Sequence, residues 1–387
     1  MMCGHVTARL SAPRQSPMSA GTFLVVGGVY IDELHAVSAY PKEDSTQRSL
    51  SVTRRRGGNA GNTSCVVAQL ATNWGVKWMG VLPAPGAGDD EGVAYVLEDF
   101  RANGVDARLA ERIQPKAGER LGVPTATIIV SEATGSRTII SSRRGLNCEI
   151  SLEWFGVKLP ELVASTRSRG WVHLETRDYD SVIRLAKEAR RVLDHHANVA
   201  AADLMWKLSI EIEKPALTLA QVIDLASCAD VIFFSRDWAE RRASEVPPAA
   251  GGAGGAGSEA EHTAVRIMRH VARAVEDRGH VLRALVCAWG AEGAYALAPP
   301  AGATGLWMPS FAPAVAVEEV VDSTGAGDTF NAAVITSLAA GADVAEAIGD
   351  ACAVAGAKVG QHGFGGLAGA LTESRRKRSK RAREEGA

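Results

Sequence analysis

The residues best suited to chemistry lie in one stretch near the C-terminus, Val320 to Gly341, VVDSTGAGDTFNAAVITSLAAG. An apolar pair leads into Asp322, Ser323 and Thr324, then a small-residue turn, Gly325-Ala326-Gly327, then Asp328. Phe330, Ala333, Val334 and Leu338 recur with helical spacing after the turn, and Gly341 stands where that helix should stop. The amides of Gly325, Ala326 and Gly327 would then sit at a helix N-terminus with no bulky side chain over them. Free N–H groups and the positive end of the helix dipole make such a turn an anion site. A carboxylate within one turn of a bound anion would repel it. The pairing makes chemical sense when Asp328 takes a proton from a hydroxyl that attacks a phosphoryl group held by the turn.

Other candidates lie near the opposite end of the chain. Phe23 to Val29, FLVVGGV, reads as a buried parallel strand. Asp32 follows just past its C-terminal end, where open α/β sheets bind ligands and where a carboxylate escapes the cost of unpaired burial. Gly57-Gly58-Asn59-Ala60-Gly61-Asn62 turns into a helix. Asn59 and Asn62 are three apart and point the same way from its first turn. Amides both donate and accept, which suits the vicinal hydroxyls of a polyol, but asparagine is also an ordinary helix cap. The spacing alone leaves both roles open; Asp44 and the C-terminal string favour the sugar.

These residues need a scaffold, and the pattern supplies an α/β one. From Gly170 to Asp322 strands and helices alternate, which predicts a parallel sheet with helices on both faces. Arg177 and Lys214 fall near the ends of two of these strands, where fixed cations offset charge on a moving phosphoryl group or form surface ion pairs. Val123 to Ser142 reads as a hairpin, TATIIV and RTIISS around Ala133-Thr134-Gly135-Ser136. With strands near 34–55 it forms a small sheet outside the main fold, its second part spanning about 121–143.

Composition narrows the partners. A net charge of −2 over 387 residues gives no protein-wide attraction to nucleic acid or acidic lipid. No apolar run reaches membrane-spanning length. The six cysteines, Cys3, Cys65, Cys148, Cys228, Cys287 and Cys352, are scattered without a pairing pattern, which predicts reduced thiols and a cytoplasmic setting. Residues 1–21 read as a disordered extension; with two arginines and no acid in the first 20, organelle targeting is the alternative. Residues 245–262, rich in Ala, Gly and Pro, read as a flexible insertion. The basic run from Arg375, RRKRSKRAREE, places a solvated, disordered tail over 369–387, with a nuclear-import signal or a polyanion contact as alternatives.

The string D-S-T-G-A-G-D-T-F resembles the C-terminal signature of the ribokinase-like, or PfkB, carbohydrate kinases. The N-terminal order Asp32, Tyr40-Pro41-Lys42-Glu43-Asp44-Ser45, Arg56-Gly57-Gly58-Asn59-Ala60-x-Asn62 resembles the ketohexokinase branch of that family. WVHLETR, SIEIEKP, VIFFSRD and VCAWGAEGAYAL are similar to segments of the same branch, so the likeness spans roughly 22–368. It implies a ribokinase-like three-layer sandwich, a mainly parallel central sheet with a small β-sheet lid over the sugar and a homodimer clasped through that lid.

The resemblance also implies site roles. Asp32, Asp44, Gly58, Asn59 and Asn62 would hold a ketose, D-fructose favoured, with Arg137, Arg177 and Lys214 near the transferred or sugar phosphate. Ala288, Trp289, Gly290, Glu292, Gly293, Gly325, Gly327, Phe330 and Gly360 would border ATP. Mg2+ would accompany ATP, and the loop after Gly360 would border a monovalent cation, K+ being the candidate. The family's Asn-x-x-Glu magnesium element is missing from Ser235-Arg236-Asp237-Trp238, which leaves Glu211, Asp237 or water-mediated contacts open. The implied reaction is ATP-dependent phosphorylation of the C1 hydroxyl of D-fructose, with Asp328 as base. A C6 fructokinase, a ribokinase, a nucleoside kinase, or a non-catalytic protein with a nucleic-acid-contacting tail are the rivals.

Overall fold

The structure, a computed structural model, describes residues 20–199, 204–247, 261–300 and 305–385. From the N-terminus the elements run β1 (Gly21–Val26), β2 (Tyr30–Val37), β3 (Ser51–Gly57), α1 (Asn59–Leu70), β4 (Trp74–Met79), β5 (Val81–Pro83), α2 (Asp90–Ala102), β6 (Val105–Asp106), β7 (Glu111–Ile113), β8 (Thr125–Ser131) and β9 (Arg137–Ser142). They continue with α3 (Leu152–Ser165), β10 (Arg169–Glu175), α4 (Tyr179–Ala197), β11 (Trp206–Ile212), α5 (Leu219–Ala226), β12 (Val231–Ser235), α6 (Arg236–Arg242), α7 (Thr263–Glu276), β13 (Ala284–Ala288), β14 (Gly293–Ala298), β15 (Met308–Pro313), α8 (Ala326–Ala339), α9 (Val344–Val359) and α10 (Leu367–Glu385).

The main sheet has nine strands in the order β15-β14-β13-β12-β11-β10-β1-β4-β6. All its strands run the same way, as in Leu24 opposite Val172, except β14, which pairs antiparallel with both β13 and β15. The strands are near-continuous apolar runs because helices cover both faces. Successive side chains alternate between the two layers. Leu24 and Val26 of β1 enter a core with α3, α4, α5 and α7. Phe23 and Val25 of the same strand enter the opposite core with α1, α8 and α9. The expected α/β sandwich is therefore observed, as is the separate small sheet, ordered β3-β2-β8-β9. That sheet begins earlier than anticipated, at Tyr30, so Asp32 is a strand residue and not a loop residue.

One expectation is corrected. The basic segment within 369–387 is not a disordered tail up to residue 385: Leu367–Glu385 is a single helix. Leu367 and Leu371 seat its start in the core. The cause of the rest lies on α9, where the Asp350 carboxylate is fully buried. It accepts hydrogen bonds from Arg378 Nη1 at 2.7 Å, Arg375 Nε at 3.2 Å, and the hydroxyls of Ser374 and Ser337 at 2.9 Å. A charge buried that deeply needs cations around it, and the basic run provides two. Residues 1–19 of the expected extension and 248–260 of the expected insertion lie outside the described residues. The insertion's far border is ordered, since His262 caps α7 and stacks on Tyr295. Among the described residues no helix is long and apolar enough to cross a membrane, and the five described cysteines are free and buried.

Candidate active site

The predicted turn is formed by Gly325, which caps α8 in the left-handed region at φ 78°. A side chain there would be strained, and its Cβ would meet the Phe364 ring at 2.4 Å. Above Gly327 there is open space, so the turn's amides stay accessible. The loop before the turn is bolted down at Asp322. Its carboxylate meets Arg55 at 2.7 Å and Lys358 at 3.0 Å and accepts from the Thr324 amide at 2.9 Å. Asp322 is held well below the usual carboxylate range because these partners outweigh its burial.

Asp328 follows in the first turn of α8 and is 7% exposed. Burial pushes it up to about 7; the Asn62 amide and Arg56 pull it down, while Glu213 and Glu175 push it further up. It therefore takes up a proton more readily than an exposed aspartate, the direction of shift that suits proton transfer.

Asn62 and Asn59 do share the first turn of α1, beside Asp328. Asn62 Nδ2 donates to Asp328 Oδ2 at 2.7 Å, and its Oδ1 accepts from Arg56 Nη1 at 2.7 Å. Asn59 lines the same cavity as Glu211, whose Oε1 accepts from Asn331 Nδ2 at 3.0 Å. Asp32 faces the same space from β2, and Gly57 makes room for it: a Cβ there would lie 2.1 Å from its Oδ2. Burial pushes Asp32 up to about 6, against the pull of Arg55 and Arg56.

These groups line a cavity of about 440 Å³ together with Gly58, Arg137, Arg177, Lys214, Ala288, Gly325 and Gly327. Arg177 is fixed by Glu175 Oε1 at 2.8 Å and the Tyr30 hydroxyl at 2.8 Å. Lys214 pairs with Glu213 at 3.0 Å. Arg137 reaches from β9 across to the Ser323 hydroxyl and so joins the small sheet to the anion loop. Of the two carboxylates considered for magnesium, Glu211 lines the cavity and Asp237 does not. Burial beside Asp328, Glu213 and Glu175 pushes Glu211 well up, a shift that a cation bound beside it would oppose. Among the described residues, no group of three or more His, Cys, Asp or Glu converges to hold a metal ion.

Several expected residues stand outside this cavity. Asp44 sits on the exposed loop between β2 and β3 with a φ of 56°. Trp289 is 4% exposed and set edge-on against His262 and Tyr295, and Phe330 is equally buried in the α8 core. Gly293 lets its backbone approach Ala312 O, and Gly360 ends α9. Gly290, Glu292 and Ala326 also lie off the cavity lining. Conversely, Arg56, Glu175 and Tyr30 belong to the site without having been singled out. Glu175 was findable as the one acid in the buried run of β10, placed to accept from the Gly28 amide at 2.8 Å and the Ala60 amide at 3.3 Å. Arg56 carried no such signal, because its partners come from two other elements.

Comparison with known proteins agrees with this geometry. Residues 22–368 match the pfkB family carbohydrate kinases. The chain is 34% identical over 350 residues to a mouse (Mus musculus) ketohexokinase, covering 90% of this chain and 100% of that protein. Its fold is that of the Giardia lamblia ribokinase, with a TM-score of 0.67 at 14% identity over 93% of this chain and 99% of that one. An Arabidopsis thaliana ribokinase complexed with ribose and ATP aligns with a TM-score of 0.63 at 18% identity, over 92% and 99% of the two chains. With the family match over residues 22–368 and the 34% identity over nearly the whole chain, the protein belongs to the pfkB family of carbohydrate kinases.

Proposed function

We propose that the protein transfers the γ-phosphoryl group of ATP to the C1 hydroxyl of D-fructose, giving fructose 1-phosphate. The observation that carries this reading is the placement of Asp328, buried at the first turn of α8 and lining the same cavity as Asp32 and Asn59. Asp328 accepts the C1 proton as the oxygen attacks phosphorus. The Gly325–Gly327 amides take up charge on the transferred group, and Arg137, Arg177 and Lys214 add positive potential around it. Asp32 and the two asparagines meet the remaining hydroxyls. Magnesium, carried in with ATP, neutralises phosphate charge. The mouse relative's ketohexokinase activity supports the choice of a ketose.

The small sheet also supports a homodimer. Its outer strands expose apolar side chains, with Val52 60%, Ile139 53% and Ile140 59% exposed. A second copy of this sheet covers them best, and light scattering on wild type and Ile140→Lys reads the outcome.

The test of function is product analysis by carbon and phosphorus NMR after incubation with ATP, magnesium and a panel of fructose, ribose and adenosine. Phosphate on C1 of fructose supports the reading. Phosphate on C6 moves the acceptor, turnover only with ribose or adenosine replaces the substrate, and no turnover with any acceptor rejects the kinase assignment for this chain.

A further inference from the structure

Asn62 touches Asp328 with one end of its amide and Arg56 with the other, and this arrangement does more than crowd the site. We propose that Arg56 is a positioning residue for Asp328, acting through Asn62: it locks the amide so that the NH2 end, and never the oxygen, faces the carboxylate. An asparagine amide is nearly symmetric in shape, so sterics alone leave its two ends interchangeable. The guanidinium removes that freedom because it can only donate. Its Nη1 donates to Asn62 Oδ1 at 2.7 Å, so Nδ2 must point to Asp328 Oδ2, also at 2.7 Å.

Arg56 is itself held without slack. Its side chain is 4% exposed, and Nε donates to Asp99 Oδ2 of α2 at 2.6 Å. The Phe100 and Phe364 rings lie 5.8 Å from its guanidinium carbon. The chain of contacts Asp99–Arg56–Asn62–Asp328 thus runs from α2 through the last turnward residues of β3 to α8. With Oδ2 occupied by an amide donor, the carboxylate's remaining oxygen is the one left to take a substrate proton. A flipped amide would set two oxygens against each other and drive Asp328 towards its protonated, inactive form.

Other charges act on Asp328 as well. Glu175 at the end of β10, and Glu211 and Glu213 on and after β11, oppose its ionisation. Arg56 favours ionisation directly, by its charge. The Cys65 thiol of α1 lies near Arg56 and is pushed up to about 11 by burial, so it stays neutral. The test must therefore separate the relay from plain attraction between charges.

The catalytic meaning of the relay rests on Asp328 being the base, as proposed above; the carboxyl titration does not. We would follow the Asp328 carboxyl carbon by NMR in aspartate-labelled protein, with Asp328→Asn for identification. Arg56→Met, Arg56→Lys, Asn62→Leu and the Arg56→Met/Asn62→Leu double variant complete the set. Asn62→Leu is expected to raise the midpoint by about one pH unit, a tenfold rise in proton affinity. Arg56→Met should raise it too, through the lost lock and the lost charge together, and the double variant should exceed Asn62→Leu by the charge part alone, so that the two single shifts sum to more than the double one. Arg56→Lys, which keeps the charge and likewise can only donate, should raise it less than Arg56→Met. Full additivity in the double variant would overturn the relay in favour of simple charge. Should Arg56→Met not fold, Arg56→Gln, alone and combined with Asn62→Leu, takes its place, since a neutral amide neither carries the charge nor fixes which end of Asn62 faces it. A protein that phosphorylates no acceptor yet shows these shifts would break the proposed function and leave the relay standing.

Discussion

Asp322 and Asp328 stand six positions apart on one loop and helix start, both largely shielded, yet they have been driven in opposite directions. Asp322 has two cations and a backbone amide on its carboxylate. Asp328 has a neutral amide as its direct partner and three carboxylates in its surroundings. Burial disfavours charge at both; company decides the result. The first aspartate is an anchor that stays ionised. The second is a group that can pick up and release a proton near neutrality. In the proposed reaction both are needed, since the anchor would hold the turn while the base stayed free to react.

The comparison can be broken most forcefully at the base. Asp328→Asn should lower kcat/KM by about two to four orders of magnitude, with nucleotide binding by calorimetry retained. At the anchor the loss should be structural. Asp322→Ala leaves the Lys358 ammonium, with no side-chain exposure, without its carboxylate. A cost of about 3–5 kcal/mol in urea unfolding is expected, against little change for Asp328→Asn at acidic pH.

The pH dependence sharpens the contrast. Burial pushes Asp328 up to about 7 in the folded state, from the ordinary 3.8 of an aspartate. Between these values the native state binds more protons than the unfolded one, so this group makes the fold less stable as pH rises through that window. Asp328→Asn should therefore be more stable than wild type at pH 8 but not at pH 4. Asp322 is shifted the other way, so its stabilising contribution is present at neutral pH and is lost as pH falls below its ordinary range. For wild type, kcat/KM should rise with pH through a limb near 7 as the base deprotonates.

The smallest effect concerns a third aspartate that follows the anchor's pattern. Asp350 shares Arg375 and Arg378, so losing either leaves the other. Arg375→Ala alone should lower Tm by a few degrees at most, about 1 kcal/mol, and the Arg375→Ala/Arg378→Ala pair by clearly more than twice that.

What could be read from residues alone follows the range of each contact. The anion turn, Asp328, and the Asn59–Asn62 pair are set by neighbours within one helical turn, so spacing reveals them. The alternation of apolar runs likewise carries the parallel sheet and both helix layers. The relay from Asp99 to Asn62 is invisible in that way, since it joins α2, β3 and α1. The basic run after Glu373 shows the same limit. Its composition suggests solvation, and only the fold reveals that Asp350, on a different helix, gives two of its arginines a buried partner. Asp44 marks the reverse case: a carboxylate within a recognisable motif that lies exposed and is not part of the cavity lining.

The main sheet's two outermost strands carry a last consequence. At one side β6 is only Val105–Asp106, too short to template another strand. At the other, β15 reads MPSFAP, so Pro309 and Pro313 interrupt the outward row of amide donors. Met308 and Phe311 of that strand are about half exposed, 51% and 52%, and would otherwise invite a neighbouring chain to add on. The prolines thus act as terminators, sparing a protein with a large apolar sheet from growing end to end into aggregates.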